Sequence, residues 1–204
     1  MPARRVRAYI GLGANVGDAR ATLTEAVPAL GSLPGARVRG VSRLYATEPI
    51  GVTDQPEFLN AVVALDVDAS PDAATGALGL LTSMKTLERE FGRRERRRWG
   101  PRELDLDLLI FGRARLAIER PPAARSTDLA AGSRLLVVPH QSAGERLFVL
   151  APLADLAPGL VPPGWGRSVE SARRRQLEIE GPAAVRVIGA WDMAASAWRL
   201  IGPD

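Results

Sequence analysis

Residues 104 to 108 read Leu-Asp-Leu-Asp-Leu, and the run continues through Leu109, Ile110 and Phe111 to Gly112. Alternation of this kind belongs to a strand, because successive side chains on a strand point to opposite faces of its sheet. Leu104, Leu106, Leu108 and Ile110 then fill an apolar face, while Asp105 and Asp107 share the other. Two carboxylates about 6.5 Å apart repel by roughly 2.5 kcal/mol at an effective dielectric of about 20. Solvent can offset that if the face is wet, as antiparallel sheets allow. So can a hard divalent cation, since Mg²⁺ takes oxygen ligands and keeps waters and phosphates in the rest of its shell.

The residues just before the strand bear on this choice. The stretch "GRRERRRWGPR" places Arg93, Arg94, Arg96, Arg97, Arg98 and Arg102 in a loop bounded by glycine and proline. Taken alone, such a loop is a solvated basic surface or a nucleic-acid footprint. Beside an acidic pair it becomes the equipment of phosphoryl transfer: guanidinium groups clamp polyphosphate and a metal between carboxylate and phosphate neutralises the remainder. The chain has no "GxxxxGK[ST]" phosphate loop, and "GLGANVG" has its third glycine one place too far for the dinucleotide fingerprint. Gly11 and Gly13 fit a close backbone approach to a ligand or to a neighbouring loop, and a turn requirement explains them equally well.

Along the rest of the chain, Val6 to Leu12 reads as a strand. Asp18 is an N-cap for a helix that buries Leu23, Ala26, Val27 and Leu30, kinked or shortened by Pro28. Arg37 to Tyr45 and Phe58 to Val67 read as two strands joined by the irregular "ATEPIGVTDQPE", a connection suited to binding. Ser70 and Pro71 predict the N-cap and first residue of a helix with Leu78, Leu81, Met84, Leu87 and Phe91 on one face, ending at Gly92. The order β-α-β-β-α-β is the split βαβ of an α+β, ferredoxin-like core: an antiparallel sheet with both helices packed on one face. Beyond it lie a short strand candidate at Arg115 to Glu119, an apolar stretch at Leu135 to Pro139, a short helix within "ERLFVLAPLADLAPGL", and further strand candidates at Val185 to Ile188 and Trp198 to Ile201.

With 204 residues, 46% hydrophobic and 25% charged, the chain holds one sizeable core. There is no cysteine, so disulfides, thiol nucleophiles and thiolate metal sites are excluded. The N-terminal "MPARRVRAYIGLGANVGD" has no apolar core of signal-peptide length and no run is long enough to span a membrane, so a cytoplasmic protein is expected. Lys85 is the single lysine, and the net charge is +4.

Four segments in order, "YIGLGANVGD", "LYATEPIGVTDQPEFLNAVVAL", "LEREFGRRERRRWGPRELDLDLLIFG" and "VVPHQSAGERLFVLAPLADLAP", resemble the 6-hydroxymethyl-7,8-dihydropterin pyrophosphokinase family of folate biosynthesis. The resemblance covers residues 6 to 158 and implies transfer of the β,γ-pyrophosphoryl group of MgATP to a pterin hydroxymethyl oxygen, with release of AMP. It implies that Asp105 and Asp107 hold two Mg²⁺ ions and that Arg93 and Arg102 stabilise the transferring charge. It assigns the pterin to Asn60, to backbone groups of Thr47 and Ile50, and to a sandwich of Phe58 and Phe148. It assigns ATP to Glu88, Trp99, Leu108, His140 and Arg146.

Some residues depart from the family pattern. Where the family shows Gly-Arg-x-Arg, this chain has Gly92-Arg93-Arg94-Glu95, so the second arginine is Arg94 or Arg96. Gln141 replaces a proline or aromatic, residues 120 to 133 and the tail after Arg175 are longer than in compact members, and Glu48 receives no role. The expected organisation is a pterin pyrophosphokinase domain over residues 1–166 with residues 167–204 as its extension, a monomer with no nucleic-acid or membrane partner and no room for a fused catalytic domain. The rival is an RNA-binding ferredoxin-like module using the arginine loop on phosphates, which calls for stacking aromatics on the sheet face where this chain has aspartates.

Overall fold

A computed structural model describes residues 5–49, 54–93, 100–120 and 134–201. In chain order the elements are β1 (Arg5–Ala14), α1 (Ala19–Gly31), β2 (Arg37–Val41), β3 (Leu44–Thr47), β4 (Phe58–Asp68), α2 (Ala73–Glu90), β5 (Asp105–Phe111), β6 (Leu116–Glu119), β7 (Arg134–Val138), α3 (Leu147–Leu156), α4 (Val169–Glu180), β8 (Arg186–Asp192) and β9 (Ala197–Leu200). The protein is α+β. The main sheet runs β5-β1-β4-β3-β8-β9, with β2 also paired to β4, and every pairing is antiparallel; β6 and β7 form a separate hairpin. Among the described residues, no helix is long and apolar enough to cross a membrane.

Alternation on the central strands sorts the core into two clusters. Ile10 and Leu12 of β1, Val63 and Leu65 of β4, and Leu106 and Leu108 of β5 point to one side, where Leu23 and Leu30 of α1 and Met84 and Leu87 of α2 meet them. The opposite side carries Tyr9, Val62, Ala64, Leu109 and Ile110, packed against Leu150 and Leu153 of α3 and Val169 and Ala172 of α4. Both faces of the sheet are therefore covered over much of their area. The first two helices share one face, as the sequence predicts, and the later helices take the other.

Several local expectations are corrected. The predicted strand Arg37 to Tyr45 is two strands. Ser42 separates them by putting a side chain where a ladder bond would be: its Oγ accepts from Val62 N–H (2.9 Å) and donates to the Arg43 carbonyl (2.7 Å). The cap of α2 is Asp72, whose carboxylate accepts from Ala74 and Thr75 N–H, rather than Ser70 with Pro71 at the first position. A carboxylate one step from the helix outcompetes a serine two steps further back. Pro28 neither stops nor visibly shortens α1, which runs on to Gly31, where Ser32 N–H and hydroxyl both donate to the Pro28 carbonyl.

Ile110 does not follow Leu108. The β1–β5 register steps from Ile10↔Leu108 to Tyr9↔Ile110, leaving Leu109 as an extra residue, and this bulge turns Ile110 to the side of Asp105 and Asp107. Of the C-terminal elements, α4 has no counterpart in the sequence reading. Only Val169 and Ala172 of its twelve residues are buried, too few to show a period.

Candidate active site

The central strand β1 lies between β4 and β5, and toward its end two successive residues on one face, Gly11 and Gly13, are glycine. Gly13 pairs with Asn60 on one side and Asp105 on the other; Gly11 pairs with Val62 and Asp107. Both glycines floor a cleft. A Cβ on Gly13 would stand 3.4 Å from Asn60 Oδ1, and one on Gly11 would stand 3.4 Å from the Leu109 side chain, so any side chain here would rise into that space. Thr47, Phe58 and Asn60 line one wall, Arg102, Asp105 and Asp107 the other, and Arg146 and Phe148 close it from the start of α3.

At the acidic wall, Asp105 Oδ1 accepts from Arg93 (2.8 Å) and Oδ2 from Arg102 (2.6 Å). Arg93 also meets Glu88 (2.5 Å), which is only 2% exposed. Glu88 further accepts from Lys85 Nζ (2.7 Å) and from the Leu106 backbone N–H (2.8 Å), tying the end of α2 to β5. The two aspartates are driven in opposite directions. Burial alone would raise the Asp105 carboxyl, but the charges of Arg102 and Arg93 override it and hold the group below the ordinary carboxylate value. For Asp107, burial and the neighbouring Asp105 charge both push upward, and more distant cations do not compensate. Among the described residues, no lysine or arginine forms a salt bridge with Asp107.

At the other wall, Asn60 is buried and its Nδ2 donates to Thr47 Oγ1 (2.8 Å). That bond orients the amide and puts Oδ1 above Gly13. Phe58 precedes Asn60 by two residues on β4 and shares its face. Phe148 enters from α3, with the Arg146 guanidinium 5.7 Å from its ring centroid, within cation–π range.

Of the residues expected from sequence, Thr47, Phe58, Asn60, Arg102, Asp105, Asp107, Arg146 and Phe148 line this one cleft, and Arg93 joins it through Asp105. Three others stand off its walls. Glu88 is buried behind β5, Leu108 faces the core on the α1–α2 side, and His140 donates its backbone N–H to the Leu109 carbonyl (2.8 Å) while Nδ1 accepts from Ser142 N–H. Ile50, Trp99, Arg94 and Arg96 lie outside the described residues. The cleft adds Glu48, Gly100 and Val149. Their sequence signal is adjacency alone, since each flanks an expected residue or the arginine loop.

The family model described as 7,8-dihydro-6-hydroxymethylpterin-pyrophosphokinase matches residues 9–158. The 2-amino-4-hydroxy-6-hydroxymethyldihydropteridine pyrophosphokinase of Methylorubrum extorquens is 44% identical over 155 residues, covering 76% of this chain and 85% of that protein. The protein of the same name from Pseudomonas aeruginosa is 42% identical over 154 residues, covering 76% of this chain and 82% of its own. A crystal structure of an HPPK-DHPS protein in complex with substrates superposes with a TM-score of 0.70 at 12% identity, covering 98% of this chain; the present chain spans 48% of that one. At that identity the likeness concerns the fold. With a family model matched across both walls of the cleft and close relatives matched over three-quarters of its length, the chain belongs to the 7,8-dihydro-6-hydroxymethylpterin-pyrophosphokinase family.

Proposed function

We propose that this chain transfers pyrophosphate from MgATP to the hydroxymethyl group of 6-hydroxymethyl-7,8-dihydropterin, giving the pterin diphosphate and AMP, a step of folate biosynthesis. The observation that carries this reading is the two-ended cleft of a family member, with paired carboxylates and arginines at one wall and an oriented amide and two phenylalanines lining the rest. The hydroxymethyl oxygen attacks the β-phosphorus, the bond from that phosphorus to the α,β-bridging oxygen breaks, and AMP departs.

Asn60 and the phenylalanines suit a flat polar heterocycle. With Nδ2 committed to Thr47, Oδ1 is left to accept from a ring N–H, while Phe58 and Phe148 offer faces for stacking. Backbone groups of Thr47 and Ile50 complete the pterin contacts by family resemblance. Arg93 and Arg102 already neutralise a carboxylate and can share their donors with phosphate oxygens; in-line phosphoryl transfer asks chiefly for such positioning and charge stabilisation. Glu88 fixes Arg93, and Arg146 lies on the cleft wall with a charge suited to phosphate. Trp99, Leu108 and His140 are carried over from the family as nucleotide contacts.

The donors at Asp105 and Asp107 fit Mg²⁺: all are hard oxygens, and Asp107 has no salt-bridging cation among the described residues. When bound there, two Mg²⁺ ions neutralise phosphate charge and lower the cost of ionising the acceptor hydroxyl.

The order of β5, β1, β4 and the β2/β3 pair supports a ferredoxin-like core, with residues 1–166 as the catalytic unit and 167–204 as its extension. We read the protein as cytoplasmic and monomeric. Nothing favours the RNA-binding alternative, whose sheet face would carry Asp105 and Asp107. Incubation with MgATP and the dihydropterin, followed by nucleotide analysis, is expected to release AMP in step with pterin diphosphate. ADP as the nucleotide product, or no pterin-dependent turnover, would overturn the reading.

A further inference from the structure

Asn15 follows the last residue of β1 and is 4% exposed, yet it is absent from the walls of the cleft. Its polar atoms are engaged in two directions. Its backbone N–H donates to the Arg102 carbonyl (3.0 Å) and its Oδ1 accepts from the Arg102 N–H (2.8 Å), so one residue holds both polar atoms of the Arg102 backbone. Its Nδ2 donates to Gln55 Oε1 (3.2 Å) and to the Pro56 carbonyl (3.1 Å). Arg102 lies three residues before Asp105 at the start of β5; Pro56 lies two residues before Phe58 at the start of β4. Asn15 thus sits at the end of the central strand and fastens the chain entering each of its neighbours.

We infer that Asn15 is a positioning residue that presets the distance between the pterin wall and the phosphate wall of the cleft by clamping the Pro56 and Arg102 segments to one amide. This rests on the functional reading above. The amide is suited to the task because its oxygen serves one wall and its nitrogen the other. An aspartate keeps the acceptor for Arg102 N–H but has no hydrogen to give. The Gln55 amide can turn to donate to such a carboxylate, whereas the Pro56 carbonyl cannot, and it is left facing a negative charge. The Pro56 segment then gains freedom that substrate binding must remove.

The test measures KM for dihydropterin and for MgATP, kcat and melting temperature for wild type, Asn15→Asp, Asn15→Ala, Gln55→Ala and Ser168→Ala, the last removing the remote cap of α4. For Asn15→Asp the dihydropterin KM is expected to rise up to about tenfold, the effect of one part-buried partner left unmet, with kcat and the MgATP KM within about twofold of wild type. Asn15→Ala also frees the Arg102 N–H and should lower kcat in addition. Gln55→Ala, which removes the Gln55 acceptor from Asn15 Nδ2 and leaves the Pro56 carbonyl bond in place, should raise the dihydropterin KM by a smaller factor. A purely structural role would lower the melting temperature of the Asn15 variants while leaving all kinetic constants unmoved, as for Ser168→Ala. An unmoved dihydropterin KM in whichever of Asn15→Asp and Gln55→Ala folds, or an equal rise in both KM values, would overturn the inference. The wild-type arm separates this from failure of the functional reading: without AMP release by wild type the reading itself falls, whereas normal wild-type turnover with unaltered variants removes Asn15 alone.

Discussion

Asp105 is stabilised by two guanidinium groups, whereas Asp107, two residues along the same face, is pushed toward its neutral form by burial and by the charge of its neighbour. Replacement by the neutral isostere should therefore act differently on the fold at the two positions. Without metal or nucleotide near neutral pH, Asp107→Asn is expected to hold or raise the melting temperature, because it replaces a carboxyl whose charged form burial and Asp105 both disfavour. Asp105→Asn should lower it, by about 1 to 3 kcal/mol of stability, because Arg93 and Arg102 lose the carboxylate between them. Both should lower pterin-dependent AMP formation by at least about a hundredfold, the order seen when a charge-stabilising group is lost. Thermal melts and single-turnover rates on the same preparations check the pair; retained turnover in either would count against the metal role. The acidic pair was readable from the chain because spacing alone fixes which way a strand residue points. Asn15 was not, since its partners lie 40, 41 and 87 residues away and no local pattern marks it.

Helix α4 shows what a period cannot reveal. It is held at its start by Ser168, whose Oγ accepts from Ser171 N–H, and by Glu170, which takes hydrogen bonds from Arg173 and Arg174 one turn on. Those bonds, Arg173 first, pull the Glu170 carboxyl down to about 2. A depressed acid contributes stability that is complete above its unfolded value, about 4.3, and is lost as pH falls toward the folded value. Unfolding midpoints from pH 5 to pH 2.5 should decline, and Glu170→Gln should flatten part of that decline; an unchanged slope would remove Glu170 as a contributor. In the sheet, Ser42→Ala should cost about 1 to 3 kcal/mol by leaving the buried Val62 N–H without its acceptor, measurable by urea titration. The helix α2 and the strands β1, β4 and β5 were legible because long apolar periods dominate them. The split at Ser42, the cap at Asp72 and the bulge at Leu109 were not, because each is settled by which of several nearby polar groups, or which of two adjacent leucines, a neighbouring strand selects.

The last forty residues are joined to the rest of the molecule by more than the covalent chain. Val169 and Ala172 pack under Tyr9 and Val62, β8 pairs with β3, and Trp198 is buried in the core with its Nε1 donating to the Ser42 carbonyl (2.9 Å). A chain ending at Gly166 would lose all three supports and uncover an edge of β3. It is expected to be insoluble, or to melt well below the full protein by calorimetry. A soluble fragment with an unchanged transition would show that the catalytic unit does not depend on its extension. At the centre of the molecule, Asn60, Gly13 and Asp105 lie abreast on three adjoining strands. The span from amide to acid is therefore two inter-strand steps, about 10 Å of peptide hydrogen bonding. Rotamers can reshape either bank, but the gauge between them belongs to the main chain, so a molecule of the wrong reach is refused by the sheet itself rather than by any replaceable side chain.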